Sequence, residues 1–128
     1  MSSENFVHLH NHTEYSMLDG AARIKKLIAK AVELEMPAIA MTDHGNAHGA
    51  YEFWKQATTQ GIKPIIGIEA YVAPGSRLEK SKVRWGTGGD DDVSGGGAYS
   101  HMTMWSTDNA SMQNLSLIHI SEPTRQAE

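Results

Sequence analysis

The segment HLHNHTEYSMLDG at residues 8–20 places three histidines at alternate positions. Side chains two residues apart project from the same face of a β-strand, so His8, His10 and His12 would form one row of imidazoles if the segment is extended. Such a row suits either a bound metal ion or a polar surface that is rich in histidine. The segment by itself leaves both interpretations open.

Further side chains that can bind a metal lie in or just after apolar stretches of the chain; they are Asp19, Asp43, His44, Glu69 and His101. A lone histidine is usually a surface or core residue, and Asp43 in TDHG could simply accept hydrogen bonds in a turn. Glu69 lies within IIGIEAYV, where a carboxylate must be paired, protonated or bound to a metal. Taken together, these residues favour a metal site.

Composition restricts the kind of metal site and the kind of protein. The 128 residues include no cysteine, which excludes disulfides and thiolate ligands. Imidazole and carboxylate ligands suit zinc, manganese or iron.

A net charge of −4 gives no basis for predicting nucleic-acid binding from charge alone. No apolar run approaches the roughly 20 residues of a membrane span, and the N-terminus does not resemble a signal peptide, so we expect a cytoplasmic protein without a membrane partner.

Apolar periodicity predicts the elements that position these residues. They are a strand at 5–12, a helix at 21–34, a strand at 38–41, a helix at 47–60 and a strand at 62–72. This order is typical of an α/β fold in which successive parallel strands are joined by helical crossovers. In such folds, functional groups gather at the carboxyl ends of the strands, and the candidate ligands lie near those ends.

The second half of the chain is less regular. Residues 75–98, which include GTGGDDDVSGGG, are interpreted as an exposed loop rich in glycine and aspartate. SHMTMW at 100–105 alternates and predicts a fourth strand, and NASMQNL at 109–115 resembles the beginning of a helix.

More than four candidate ligands suggests more than one ion, an arrangement that could activate water and clamp both oxygens of a phosphoryl transfer.

Four motifs resemble, in order, the N-terminal motifs of the PHP (polymerase and histidinol phosphatase) domain. They are HLHNHTEYSMLDG, MTDHGN, KPIIGIEAYV and SHMTMW. More narrowly, FVHLHNHTEYSMLDG resembles the start of the α subunits of bacterial DNA polymerase III, the replicative polymerase. The resemblance covers residues 5 to 115 and implies the N-terminal part of a distorted (βα)₇ barrel with up to three metal ions at its carboxyl rim.

The resemblance also implies roles for individual positions. The implied metal ligands are His10, His12, Asp19, His44, Glu69 and His101, with Glu69 as the bridging carboxylate. Asp43 would orient a ligand from behind and is the one further candidate for a catalytic role. His8 would be structural, so two of the three opening histidines are predicted to bind metal.

For the activity, the resemblance implies a fragment of a DNA-directed DNA polymerase. Its PHP domain would be a metal-dependent phosphoesterase, acting as a 3′→5′ proofreading exonuclease through a metal-bound hydroxide. The parent protein would use DNA and deoxynucleoside triphosphates, Mg²⁺ at a polymerase site outside this chain, and replisome partners such as the sliding clamp and a proofreading subunit. The alternatives are a non-catalytic scaffold that docks a proofreading subunit and a stand-alone phosphoesterase resembling histidinol phosphatase.

The end of the chain differs from the rest. Residues 116–128, SLIHISEPTRQAE, resemble a translated sequencing adaptor. We therefore assign residues 1–115 to an N-terminal PHP fragment and 116–128 to a non-native tail. The remaining ligands of the family would lie beyond this chain, so the fragment alone is expected to lack the whole metal cluster and to be inactive.

Overall fold

The computed structural model describes residues 6–17, 19–73, 76, 78 and 99–121. Its elements are a 3₁₀ helix at Glu14–Ser16, α1 at Ile24–Glu33, β1 at Ala38–His44, α2 at Ala50–Thr59, β2 at Lys63–Val72, β3 at Ser100–Trp105 and α3 at Asn109–Ser121. The strands form one sheet in the order β1-β2-β3. Among these residues, none of the helices has the length and apolar character needed to cross a membrane.

The two crossover helices form because their apolar residues recur at helical spacing. In α1, Ile24, Ile28 and Ala31 are buried on one face, while Lys30 pairs with Glu33 on the wet side. In α2, the buried residues are Phe53 and Ala57, which are four positions apart. Gly61 follows α2 with a φ of 76°, a left-handed conformation that glycine adopts without steric cost.

Both helices pack on the same face of the sheet. Residues of β1 alternate between the faces, so Ile39 and Met41 point towards the helices and join the apolar core. The buried members of this core are Ile24, Ile28, Ala31, Met36, Ile39, Met41, Phe53, Ala57 and Ile62. A smaller cluster, in which Leu115 of α3 packs with Ile68 and Ala70 of β2, extends the core.

Strand pairing brings distant ligands into register. The parallel pairing of β1 with β2 places His44 beside Glu69, and the pairing of β2 with β3 places Thr103 opposite Glu69 and His101 opposite Tyr71. The second pairing is antiparallel, whereas the sequence predicts β3 as a strand without giving its orientation. An antiparallel pair needs no helical crossover, and residues 75–98 show no helical periodicity in the sequence.

The predicted first strand at 5–12 is not a regular strand. It makes one isolated parallel bridge, between His8 and Ile39. Beyond that point, the backbone N–H of Asn11 donates to the side-chain hydroxyl of Thr42 at 2.9 Å instead of to a main-chain carbonyl, although the Thr42 N–H does donate to the Asn11 carbonyl at 2.8 Å. At Asn11 the side-chain bond takes the place of a ladder hydrogen bond, so the segment does not pair with β1 as a regular strand.

Two further predictions concern the second half of the chain. The loop at 75–98 lies outside the described residues, apart from residues 76 and 78. Helix α3 continues to Ser121, beyond the boundary at 115 that the sequence suggests. The assignment of 116–128 to a non-native tail stays a prediction.

Candidate metal centre

Glu69 lies at the centre of a group of histidines from three segments of the chain. Its Oε2 atom is 2.7 Å from His10 Nε2 and 2.6 Å from His12 Nε2, and its Oε1 atom contacts Nδ1 of His101. Glu69 is only 5% exposed, because it lies on the middle strand near the junction with β1. The buried carboxylate thus gathers imidazoles from the N-terminal segment and from β3.

Asp19 extends the cluster on the other side of His44. The Oδ2 atom of Asp19 is 2.8 Å from His44 Nε2 and 3.6 Å from His12 Nδ1, and His44 Nδ1 is 3.8 Å from Glu69 Oε2. Together these contacts define three ligand groups, each with ligand atoms within 4.8 Å of one another. The first group is His10, His12 and Glu69; the second is His12, Asp19 and His44; the third is His44, Glu69 and His101.

The donor chemistry of the three groups fits divalent metal ions. The ring nitrogens His10 Nε2 and His12 Nε2 are 3.2 Å apart. Two imidazole nitrogens bound to one tetrahedral zinc ion at about 2.1 Å would lie about 3.4 Å apart, so little movement would be needed for both to bind the same ion. Every group combines imidazole nitrogen with at least one carboxylate, the ligand set that suits zinc, manganese or iron.

The carboxylates of the cluster are held in the charged form that a metal ligand requires. Burial raises the pKa of Glu69, but hydrogen bonds from His10, His101 and His12 outweigh burial and lower the pKa to about 2. The pKa of Asp19 is also lowered, chiefly by its hydrogen bond with His44. Both side chains therefore carry a negative charge at neutral pH.

Asp43 is placed differently from its neighbour His44. Because consecutive strand residues face opposite sides of the sheet, the Asp43 side chain lies on the helix-covered side and is fully buried. Its carboxylate accepts hydrogen bonds from the Thr13 N–H at 2.5 Å, the Thr13 hydroxyl at 2.7 Å and the Ser16 hydroxyl at 2.6 Å. These contacts are with the loop between His12 and Asp19. A catalytic role for Asp43 stays a prediction.

His8 is separated from the other opening histidines. Its ring packs edge-on against Phe6 at a centroid distance of 4.7 Å, and its carbonyl accepts a hydrogen bond from the Ala40 N–H at 2.9 Å. It belongs to none of the three ligand groups found among the described residues. Among the described residues, the structure brings all six predicted ligands together and leaves His8 outside the three groups.

Sequence reasoning missed several residues that shape the site. Trp105 lies across Gly67, where an added Cβ would come within 3.0 Å of the indole, and the indole N–H donates to the Leu9 carbonyl at 2.7 Å. Thr13 and Ser16, whose hydroxyls donate hydrogen bonds to Asp43, are two further residues of this kind. The sequence offers a clue to Thr13 only, because threonine is a preferred residue at the start of a helical turn. In the structure its hydroxyl accepts a hydrogen bond from the Tyr15 N–H and caps the 3₁₀ helix.

Comparison with known proteins gives a family and close relatives. A sequence profile of the PHP domain matches residues 8–126. The DNA polymerase III subunits α of Mycobacterium leprae and Saccharopolyspora erythraea are 56% and 57% identical to this chain over 117 and 124 residues, and that of Thermus aquaticus is 48% identical over 116 residues. The matches cover 90%, 90% and 89% of this chain. The chain spans about a tenth of the length of these relatives.

A solved structure supports the same conclusion about the fold. An amidohydrolase from Chromobacterium violaceum matches 90% of this chain and 34% of its own chain, with a TM-score of 0.55 and 23% identity. This likeness concerns the fold alone, and with the profile match it confirms the predicted α/β class and the assignment to part of a PHP-like (βα) barrel. The chain belongs to the PHP domain family.

Proposed function

We propose that the three ligand groups bind divalent metal ions and that the site hydrolyses phosphoesters. The observation that carries the proposal is the convergence of six side chains from four segments of the chain on shared positions, with Glu69, His12 and His44 each belonging to two groups. Bound ions would supply Lewis-acid stabilisation of phosphate oxygens and a bound water of lowered pKa. Zinc, manganese or iron suits these ligands, with up to three ions in an intact domain.

The protein's own residues would hold the ions and fix their spacing. Glu69 is buried and charged at neutral pH, so it can bridge the first and third groups without first losing a proton. Asp19 is 71% exposed, so the second group opens towards solvent, where a substrate can approach. A cavity of about 370 Å³ adjoins this side and is lined in part by His10, His12 and Asp19.

The proposed substrate is the 3′ end of DNA. Relatives that share about half of this sequence are DNA polymerase III α subunits, and a phosphoesterase in such a protein would serve as a 3′→5′ proofreading exonuclease. In this proposal the chain is part of a cytoplasmic replicative polymerase that acts on DNA and deoxynucleoside triphosphates with Mg²⁺ at a separate site. Its partners would be replisome subunits such as the sliding clamp and a proofreading subunit.

The test uses the full-length protein that carries this chain and a primer with a mismatched 3′ nucleotide. In the presence of Mn²⁺ or Zn²⁺ and without deoxynucleoside triphosphates, the wild type should release the mismatched nucleotide. His10→Ala and His12→Ala should each slow release at least about 100-fold, since each removes a metal ligand. His8→Ala is the matched control, because His8 lies in the same segment but outside the ligand groups.

The results separate this proposal from its alternatives. Equal excision by all four proteins would contradict hydrolysis at this site, and a wild type that binds ions but releases no nucleotide would favour the scaffold. Metal analysis of the same samples is therefore part of the experiment. Polymerisation by His10→Ala should stay at the wild-type rate, because the proposed polymerase site is separate.

A further inference from the structure

We infer that Asp43 is a positioning residue that presets the second ligand group, formed by His12, Asp19 and His44, before any ion binds. The inference rests on the proposed function, because it concerns how the proposed ions are held. It gives Asp43 a different task from the one that its place beside His44 suggests: Asp43 acts through the backbone of a loop and not through a ligand ring.

Asp43 is a buried anchor, which here means a side chain that hydrogen bonds hold in one position. The side chain is 0% exposed, and both of its oxygens accept hydrogen bonds: Oδ1 from the Thr13 N–H and the Ser16 hydroxyl, and Oδ2 from the Thr13 hydroxyl. A buried carboxylate is tolerated only when it is well satisfied, so the loop must adopt the conformation that supplies these three donors. The carboxylate and the loop therefore fix each other.

Each ligand of the second group is connected to this anchor over a short path. Thr13 follows His12 directly in the chain. The Ser16 carbonyl accepts from the Asp19 N–H at 3.1 Å, and the Ser16 hydroxyl accepts from the His44 N–H at 3.2 Å. Asp43 itself precedes His44 on β1. One buried carboxylate thus constrains the backbone of all three ligands.

The other two groups are connected to the anchor less completely. The first group shares only His12 with the second group, and the third group shares only His44. Among the described hydrogen bonds of Asp43, none reaches His10, Glu69 or His101. Loss of the anchor should therefore weaken one ion selectively, whereas a general loss of stability would weaken all of them together.

The experiment counts ions in the full-length protein by equilibrium dialysis against Mn²⁺ or Zn²⁺ followed by mass spectrometry of the bound metal. Asp19→Ala identifies the second site, because Asp19 belongs to that group alone. Asp43→Asn keeps the size of the side chain but cannot accept on both sides. We expect it to weaken binding of the same ion about 10- to 100-fold, the usual effect of losing an outer partner of a metal site. The double variant Asp19→Ala/Asp43→Asn should bind as many ions as Asp19→Ala alone.

Two more variants keep the inference testable if Asp43→Asn does not fold. Ser16→Ala removes one donor to Asp43 and the acceptor of the His44 N–H, so it should weaken the same ion about 10-fold. Thr13→Ser keeps the hydroxyl and should bind metal like the wild type. Ile28→Val is the stability control: it shortens a core side chain that does not contact the site, so all ions should remain.

The outcomes are distinct. If Asp43→Asn and Ser16→Ala keep the ion that Asp19→Ala loses, or weaken every ion equally, the inference is overturned. In either case the proposed function stands, because the wild type still binds its ions. A wild type that binds no ion at all would overturn the proposed function itself, and this inference with it.

Discussion

One face of the sheet packs against α1 and α2, whereas the opposite face carries the ligand groups. The covered face contains Phe53, Ile39 and Met41, each no more than 1% exposed. On the ligand-bearing face, the His10 side chain is 53% exposed and that of His101 is 34% exposed. Strand β1 contributes to both faces, because its side chains alternate between them.

This difference separates the source of stability from the site of chemistry. Burial of apolar side chains on the covered face supplies the main driving force for folding. The ligand-bearing face is held by hydrogen bonds among imidazoles and carboxylates, which lie where ions would bind. Substitutions on the two faces should therefore have separable effects, and the following predictions test that separation.

The largest effect is expected on the covered face. Phe53→Ala removes a fully buried ring and should lower the free energy of local unfolding by about 3–5 kcal/mol. Native-state hydrogen exchange of the α2 amides in the full-length protein measures this change. Tyr51→Ala on the same helix is the control: Tyr51 is 70% exposed, so the change should stay within about 0.5 kcal/mol. Equal effects of the two variants would contradict the assignment of the core.

The next effect belongs to the ligand-bearing face. Glu69→Gln removes the carboxylate shared by the first and third groups. Because Glu69 would be a direct ligand, ion binding at both groups should weaken by more than the roughly 10- to 100-fold that the loss of an outer partner costs. The hydrogen-exchange protection of α1 and α2 should change little. Glu33→Gln, which alters an exposed carboxylate of α1, should leave ion binding intact. Undiminished binding by Glu69→Gln would contradict its bridging role.

Gly67→Ala tests whether the ligand-bearing face also contains close packing. The new Cβ would lie 2.3 Å from the Met104 carbonyl oxygen and 3.0 Å from the Trp105 ring. We expect a loss of about 1–3 kcal/mol, as for other overpacked sites, seen as faster exchange of β2 and β3 amides. Gly61→Asn is the control, because a side chain there meets no atom within 4 Å and asparagine tolerates a left-handed backbone.

The smallest effect on stability is expected at Asp108, which directly precedes α3 and belongs neither to the apolar clusters nor to the ligand groups. Asp108 accepts a hydrogen bond from the Ser111 N–H at 2.7 Å, and this bond is the main cause of its lowered pKa. Because the folded pKa lies below the ordinary value of 3.8, the stabilisation is fully present when the pH is well above that value and is lost as the pH falls through the folded pKa. The protection of the α3 amides, which is their exchange rate relative to an unfolded chain at the same pH, should therefore fall in acid. Asp108→Asn should remove this pH dependence, and an unchanged profile would contradict a stabilising role for the hydrogen bond between Asp108 and the Ser111 N–H.

Much of the fold was predictable because it depends on local patterns. Helical spacing located α1 and α2 within three residues of their observed ends, and apolar runs located β1 and β2. The candidate ligands were recognised from residue type, from position near strand ends and from the family motifs. The structure brings these candidates together, while their role as ligands remains to be measured.

Residue type alone does not predict which face of the sheet the Asp43 side chain occupies. Its place beside His44 suggested a group that orients a ligand ring, although alternation along β1 already put the two side chains on opposite faces. The incomplete pairing of residues 6–12 with β1 could not be predicted, because the hydrogen bonds involved join residues some thirty positions apart in the chain. The antiparallel orientation of β3 likewise belongs to its pairing with β2 and is not encoded in the alternation of SHMTMW.

Local patterns were enough to identify which residues can bind a metal, to locate most of the helices and strands, and to exclude thiolate ligands from this chain. These properties depend on side-chain chemistry and on spacing within a few residues. Long-range contacts in the fold establish that Glu69 meets His10, His12 and His101, that His8 lies outside the ligand groups, and that Asp43 holds the loop between His12 and Asp19. Those contacts join segments 30 to 59 positions apart, so they depend on strand pairing and core packing and not on any local pattern.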